Sequence, residues 1–188
     1  MKYINGTIKA YLKDLGAKLP APGGGSAAGL SSSLAASLLS MVCHYTVGKE
    51  KYKKFERRVM VIHSKSLQLQ KRLSDLVDED VKAYRSKDMD RSTKVPAEIC
   101  LLSYDLMSMA VELLDKGSKN LISDTALAAL LAEAGFFGGF FYVKVNLKYL
   151  GEKGKKYDKL YREVKTLLIK VKKMRKKVEV KIGCSIGW

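Results

Sequence analysis

Asp80 stands on a seam that is otherwise almost wholly apolar. Phe55, Val59, Ile62, Ser66, Leu69, Leu73, Leu76, Asp80 and Ala83 follow one another at alternating spacings of four and three, the repeat of a helix packed lengthwise in a bundle. A carboxylate placed there loses hydration, which disfavours its charged form unless a partner is present. Carboxyls perturbed in this way gather at functional sites. The bland alternative is a structural Asp bonded to a helix N-terminus or to a Lys across the bundle. Asp78, two residues earlier, points roughly 200° away around a 3.6-residue helix and is expected in solvent.

The run Gly23-Gly24-Gly25-Ser26 offers unhindered backbone N–H groups at a helix start, which suits a carboxylate, a phosphate or a flat ring pressed against the backbone. It has neither the Lys-Ser/Thr of a Walker A loop nor the glycine spacing of a dinucleotide loop. A turn followed by a helix capped by Ser26 fits it equally. Ser123-Asp124-Thr125 before an apolar run also reads as an N-cap, supplied by Ser123 or Asp124. Glu133, inside Ala132-Glu133-Ala134-Gly135, is a substrate anchor or a structural one. His44 and His63 fall on separate helices without Cys or carboxylate at ligand spacing, and read as core or surface histidines.

Six helical segments position these residues. The first covers about 5–16, with Ile8, Tyr11, Leu12 and Leu15 on it and Gly16 as its stop. A small-residue helix opens after Leu19-Pro20-Ala21-Pro22-Gly23-Gly24-Gly25-Ser26. The Asp80 seam belongs to a third segment, Lys49 to Lys87. Pro96 at a first helical turn begins the fourth, which carries Ile99, Leu102, Leu106, Met109 and Leu113 and ends at Gly117. The fifth runs from Thr125 to about Tyr149. The sixth keeps the bundle spacing through Leu160, Val164, Leu167, Val171, Met174 and Val178. Three prolines in 188 residues leave little room for many short strands joined by turns. The fold class expected is all-α: a single-domain bundle of about five to six helices over 1–188, with 151–188 as a basic C-terminal helix and tail.

Thirty-five Lys and Arg against nineteen Asp and Glu give a net charge of +16, a field that draws anions of any kind. The C-terminal run Lys172, Lys173, Arg175, Lys176, Lys177 has no interleaved aromatics for base stacking, so it reads as a solvated helix face and nucleic acid as an improbable partner. Cys43, Cys100 and Cys184 are odd in number and widely spaced, indicating neither a disulfide framework nor a zinc site. No metal is expected. Ala27 to Val47 carries no formal charge, but its five serines suit a buried helix better than a lipid-facing one. With no signal-peptide pattern at the start, a cytoplasmic location is expected.

Taken together, Leu19-Pro-Ala-Pro-Gly-Gly-Gly-Ser26, Met41-Val42, Thr46, Gly48-Lys49-Glu50-Lys51-Tyr52, Asp78-Glu79-Asp80 with Ala83-Tyr84, Val95-Pro96-Ala97-Glu98, Asn120 with Ile122-Ser123-Asp124, Ala128 to Ala134, and Val143 with Val145-Asn146-Leu147 resemble the cyclodeaminase/cyclohydrolase family of folate enzymes. The resemblance covers about residues 5–150. Relative to the family's pattern, the stretch from Arg85 to Lys94 is short.

What the resemblance implies is an all-α bundle that forms a homodimer and binds tetrahydrofolate derivatives near the subunit interface, with no cofactor beyond that substrate. Two reactions belong to the family. In one, 5-formiminotetrahydrofolate closes to 5,10-methenyltetrahydrofolate with release of ammonia. In the other, water opens the methenyl ring to 10-formyltetrahydrofolate. By the same resemblance Asp80 and Asp124 are the acid–base candidates, with Glu98 behind them. Pro22, Gly23, Gly24, Gly25, Ser26 and Ser123 would hold the folate. Asn146 would bond to the pterin or support a carboxylate, and Lys49, with Lys51 and Lys53, would meet the glutamate tail or else form a solvated face. A member that binds folate without turnover is the alternative.

Overall fold

The computed structural model describes residues 2–187, and the described residues form six α-helices joined by short 3-10 turns. They are α1 (Ile8–Leu15), α2 (Gly24–His44), α3 (Glu56–Arg85), α4 (Met89–Lys116), α5 (Ile122–Leu150) and α6 (Asp158–Ile186). Helices α2 to α5 run up and down as a ring in which each packs on its neighbours in the order α2, α3, α4, α5, and α6 fills the outer groove between α4 and α5. The α3 and α6 seams are where the spacing predicts: Val59, Ile62, Leu69, Leu73 and Leu76 on one, and Val164, Val171 and Val178 on the other, are buried.

Helix α2 succeeds as a central element because its side chains are small. Ala28, Ser32, Ala35, Ala36 and Leu39 are buried between α3, α4 and α5. Its hydroxyls are satisfied across the core: Ser32 with Ser103 at 2.7 Å, Ser33 with Ser74 at 2.9 Å, and Ser31 donating to the Leu131 carbonyl at 2.8 Å. Opposite them α5 has Gly135, where a Cβ would lie 2.9 Å from the Ala28 carbonyl oxygen, so backbone meets backbone. The helix is long and apolar enough to cross a membrane, yet its length serves the bundle interior.

Several boundaries differ from expectation, each for a local reason. Helix α1 is shorter than 5–16, starting at Ile8 behind Thr7, whose hydroxyl accepts from the Ala10 N–H; only Tyr11 of its stripe is buried, and Ile8 and Leu12 face outward. Residues Glu50–Phe55 form a 3-10 turn, so α3 begins at Glu56 and not at Lys49. Pro96 does not begin α4. The helix starts two turns earlier behind Asp88, whose carboxylate accepts from the Arg91 N–H, and it carries Pro96 in its interior. The stretch read as a connection from Arg85 to Lys94 is therefore a three-residue turn, 86–88, with Lys87 at φ 55°.

Candidate active site

The loop before α2 includes a cis Ala21–Pro22 bond, and both residues are buried. Gly23 precedes the helix in extended conformation and occupies the cap position; Ser26, expected there, lies inside the first turn and is fully buried. Two glycines of that turn are pressed by side chains from opposite sides. A Cβ on Gly25 would lie 2.8 Å from Cγ of Asp80, and one on Gly24 would lie 3.0 Å from Cε2 of Tyr142. Only residues without a side chain admit a carboxyl and an aromatic ring this close to the helix start. This end of the bundle is thus built by α2, α3 and α5 together.

Asp80 is half-buried. Burial pushes its carboxyl up to about 6, against the lowering effect of the Ser26 backbone N–H that hydrogen-bonds to it. A carboxyl in that range exists in both protonation states near neutrality, the condition for giving and taking a proton in one cycle.

Asp78 corrects the expectation made for it. It is buried, 5% exposed, because the chain's own N-terminal segment covers it: the Tyr3 N–H donates to its Oδ1 at 2.6 Å and the Ile4 N–H to its Oδ2 at 3.4 Å. Helical phase alone sets which way a side chain points, and a segment from elsewhere decides whether that direction is solvent. Tyr3 in turn packs edge-on against Tyr11, ring centroids 5.5 Å apart, and the Tyr11 hydroxyl pairs with the Ser26 hydroxyl at 3.2 Å.

Glu98 and Asn146 sit in α4 and α5 toward the Asp80 end, each engaged with the protein. Arg72 forks onto Glu98 at 2.6 and 2.7 Å and onto Glu79 at 2.5 and 3.2 Å. Asn146 donates its amide N–H to the Ser92 carbonyl. Glu133 accepts from Arg175 of α6 at 2.7 Å, which makes it a structural anchor. His44 and His63 are on different helices as expected but meet, with ring centroids 4.4 Å apart.

Asp124, Ser123 and Lys49 lie at the other end of the molecule. Helix α5 begins at Ile122 behind Leu121, so neither Ser123 nor Asp124 is the cap; both are within its first turn. Asp124 precedes Tyr142 on the same helix by about eighteen residues, or about 27 Å at 1.5 Å per residue. Lys49 sits in the α2–α3 connection with its Nζ 5.8 Å above the Tyr45 ring. That connection clamps the start of α5: the Thr46 hydroxyl accepts from the Ser118 N–H, and the Tyr52 hydroxyl from the Lys119 N–H, both at 2.9 Å. Within one protomer the structure brings Asp80 to Gly25 and Ser26, and leaves Asp124 and Lys49 together at the far end.

The sequence pattern of the formiminotransferase-cyclodeaminase family matches residues 7–87 and 85–166. The chain belongs to this family. It is 31% identical over 187 residues to the methenyltetrahydrofolate cyclohydrolase of Methylorubrum extorquens, covering 87% of this chain and 89% of that one. It is 29% identical over 172 residues to the formimidoyltransferase-cyclodeaminase of Rattus norvegicus, covering 77% of this chain and 31% of the rat protein. The chain thus spans less than a third of that longer relative. The crystal structure of formiminotetrahydrofolate cyclodeaminase from Thermotoga maritima superposes with a TM-score of 0.90 over 98% of both chains at 24% identity, so this cyclodeaminase-family bundle shares its fold.

Tyr142, Tyr11 and Arg72 are site-end residues that the sequence did not single out. A tyrosine in an apolar helix reads as core, and an arginine in a polar heptad as surface. Only the meeting of three helices gives them neighbours worth noticing.

Proposed function

We infer that this chain is a folate one-carbon enzyme working at 5,10-methenyltetrahydrofolate, by cyclodeamination of 5-formiminotetrahydrofolate, by hydrolysis of the methenyl ring to 10-formyltetrahydrofolate, or by both. The observation that carries this is a carboxyl raised to about 6 against the glycine turn of α2, in a chain aligned along almost its whole length with a methenyltetrahydrofolate cyclohydrolase.

The chemistry asks for such a group. In hydrolysis a water oxygen bonds to the cationic methenyl carbon while its proton passes to the Asp80 carboxylate. The C–N5 bond then breaks as N5 takes that proton, the hydroxyl on the carbon releases its own proton to solvent as the C=O forms, and the formyl group stays on N10. In cyclodeamination N10 attacks the formimino carbon and gives up its proton; the C–N bond to the departing nitrogen breaks once that nitrogen is protonated, and ammonia leaves. Both paths pass through a tetrahedral carbon beside nitrogen, and both end or begin on a cation that a nearby carboxylate steadies. The turn from Gly23 to Ser26, with buried Pro22 behind it, offers a flat surface for the pterin.

The enzyme acts as a cytoplasmic homodimer through the α2–α5 face. Leu34, Leu127, Leu130, Phe141 and Val145 are exposed there, between 36% and 58%, and α2 carries no Asp, Glu, Lys or Arg from Gly24 to His44. An apolar stripe whose α2 half carries no charge, on a chain with 29% charged residues, is an interface waiting for its like. A two-fold axis in that face and perpendicular to the helices sets the far end of one protomer beside the Asp80 end of the other. Asp124, Ser123 and Lys49 of the partner subunit then complete the site, and the +16 field gathers folate glutamates toward it.

The test is a time course at the methenyl absorbance with purified protein, one cuvette holding 5,10-methenyltetrahydrofolate and the other 5-formiminotetrahydrofolate, each against buffer. Loss in the first faster than buffer marks hydrolysis, and gain in the second marks cyclodeamination. Asp80→Asn should abolish either signal. No change in either cuvette sinks the enzyme reading and leaves folate binding without turnover.

A further inference from the structure

We propose that Tyr11 is a positioning residue for Asp80, and that Asp78 holds it in place by strapping the N-terminal segment onto α3. The inference rests on the reading of Asp80 as the acid–base group. Three observations converge on it. Tyr11 is 5% exposed and is the one buried residue of an eight-residue helix on which Ile8 and Leu12 face outward and Leu15 is half-buried, so this ring is the main contact that docks α1. Its hydroxyl pairs with that of Ser26, fully buried, whose backbone N–H bonds to Asp80. Beside Tyr11 and half-buried Leu15, the described part of the segment is held by the N–H groups of Tyr3 and Ile4 on buried Asp78, which lies two residues before Asp80 on α3 and roughly 200° around that helix from it.

The physical effect is exclusion of water. Tyr3, Thr7, Tyr11, Leu30 and Val77 line a small, half-open cavity of about 90 Å³ between the N-terminal segment and α2 and α3, and on this proposal the Tyr11 ring, near enough to Asp80 to feel its charge, is the wall that keeps water from it on the α1 side. Among the described residues, the titratable groups around Asp80 are few. Tyr11 faces it from α1; α2 presents none between Gly24 and Val42; Tyr142 of α5 stands one residue away over Gly24; and on α3 Asp78 is turned to the N-terminal N–H groups and Glu79 to Arg72. Arg85 donates to the Ala21 carbonyl at 3.5 Å. With no cation paired to Asp80, removal of the wall should let water lower its pKa.

The experiment reads Asp80 directly, by carboxyl ¹³C NMR titration of the full chain, with the signal assigned through Asp80→Asn. The variants are Tyr11→Ala, Tyr11→Phe and Asp78→Asn. Tyr11→Ala should move the Asp80 midpoint down by at least tenfold in proton concentration, and Asp78→Asn should move it the same way while leaving Tyr11 intact. Tyr11→Phe, which keeps the ring and loses only the hydroxyl, should shift it least. Helical circular dichroism identifies any unfolded variant, and Tyr11→Phe and Asp78→Asn are conservative enough to keep the test open. An Asp80 midpoint unchanged in folded Tyr11→Ala and Asp78→Asn overturns the proposal. If the midpoint moves and the acidic limb of the pH–rate profile stays where it was, the positioning stands and the acid–base role of Asp80 falls.

Discussion

Asn146 stands in for the backbone hydrogen bond that Pro96 removes. A proline in a helix interior has no N–H to offer the carbonyl four residues earlier, which in α4 is Ser92. The Asn146 side-chain amide donates to that same carbonyl at 2.5 Å from the neighbouring helix. Gly139, one further site of close approach, would place a Cβ 2.6 Å from the Pro96 carbonyl oxygen. Two motif segments far apart in sequence, Val-Pro-Ala-Glu and Val-Asn-Leu, are therefore two halves of one repair.

This relationship predicts non-additivity. Asn146→Ala should cost roughly 1–3 kcal/mol by leaving the Ser92 carbonyl unpaired. In a Pro96→Ala background, where an N–H is again available, the same change should cost much less. Urea denaturation of the four proteins of that double-mutant cycle gives the answer. Equal costs in both backgrounds would show that Asn146 does not serve Ser92.

Asp80 makes the protein's stability fall with rising pH over a defined window. Its carboxyl titrates at about 6 in the folded state against an ordinary value of 3.8. The folded form holds the proton more tightly than the unfolded chain does, so stability is fullest below pH 4 and is lost as pH rises toward 6. Asp80→Asn should consequently be more stable than the wild type at pH 7.5, by up to roughly 3 kcal/mol, with the difference vanishing near pH 4. Denaturant midpoints at pH 4, 5 and 7.5 test this. A variant less stable at pH 7.5 would make Asp80 a structural anchor.

Glu98 should prove less critical to turnover than Asp80. Both its oxygens are taken by Arg72, which also holds Glu79. The pair is more than a third exposed, so Glu98→Gln should lower stability by only about 0.5–1 kcal/mol. Its kcat should fall far less than that of Asp80→Asn. An equal loss in both would return Glu98 to the reacting centre.

Subunit complementation separates a shared site from a local one. Asp80→Asn and Asp124→Asn proteins, unfolded together and refolded as a mixture, should recover about a quarter of wild-type activity. Half of randomly paired dimers are mixed, and each mixed dimer carries one intact site when the two carboxylates come from opposite protomers. If both carboxylates act within one chain, no mixed dimer has an intact site and the mixture stays inactive.

The long seams were legible because a core-facing helix repeats its apolar positions whatever surrounds it; α3 and α6 follow their predicted stripes, and Asp80 was found as the polar interruption of one. The structure contradicts the reading wherever a distant segment intervenes. Asp78 is buried by residues 3 and 4, seventy-odd positions away, and no local pattern encodes that. Pro96 misled for the complementary reason: proline marks a helix start unless something replaces the missing N–H, and Asn146 lies fifty residues on. The separation of Asp80 from Asp124 is a matter of topology, visible only once α2 to α5 are threaded up and down.

The buried serines of α2 have a consequence for how the chain finds its register. A helix of Ala, Gly and Ser could slide along its neighbours by a turn or a heptad and still bury small side chains. The hydroxyl pairs Ser32–Ser103 and Ser33–Ser74 meet in one alignment alone, although Ser103 keeps its bond to the Ile99 carbonyl of its own helix in any. Each hydroxyl stranded by a slip would cost about 1–3 kcal/mol, so a few polar atoms in the interior act as a vernier, choosing a single setting among many that hydrophobic packing would accept.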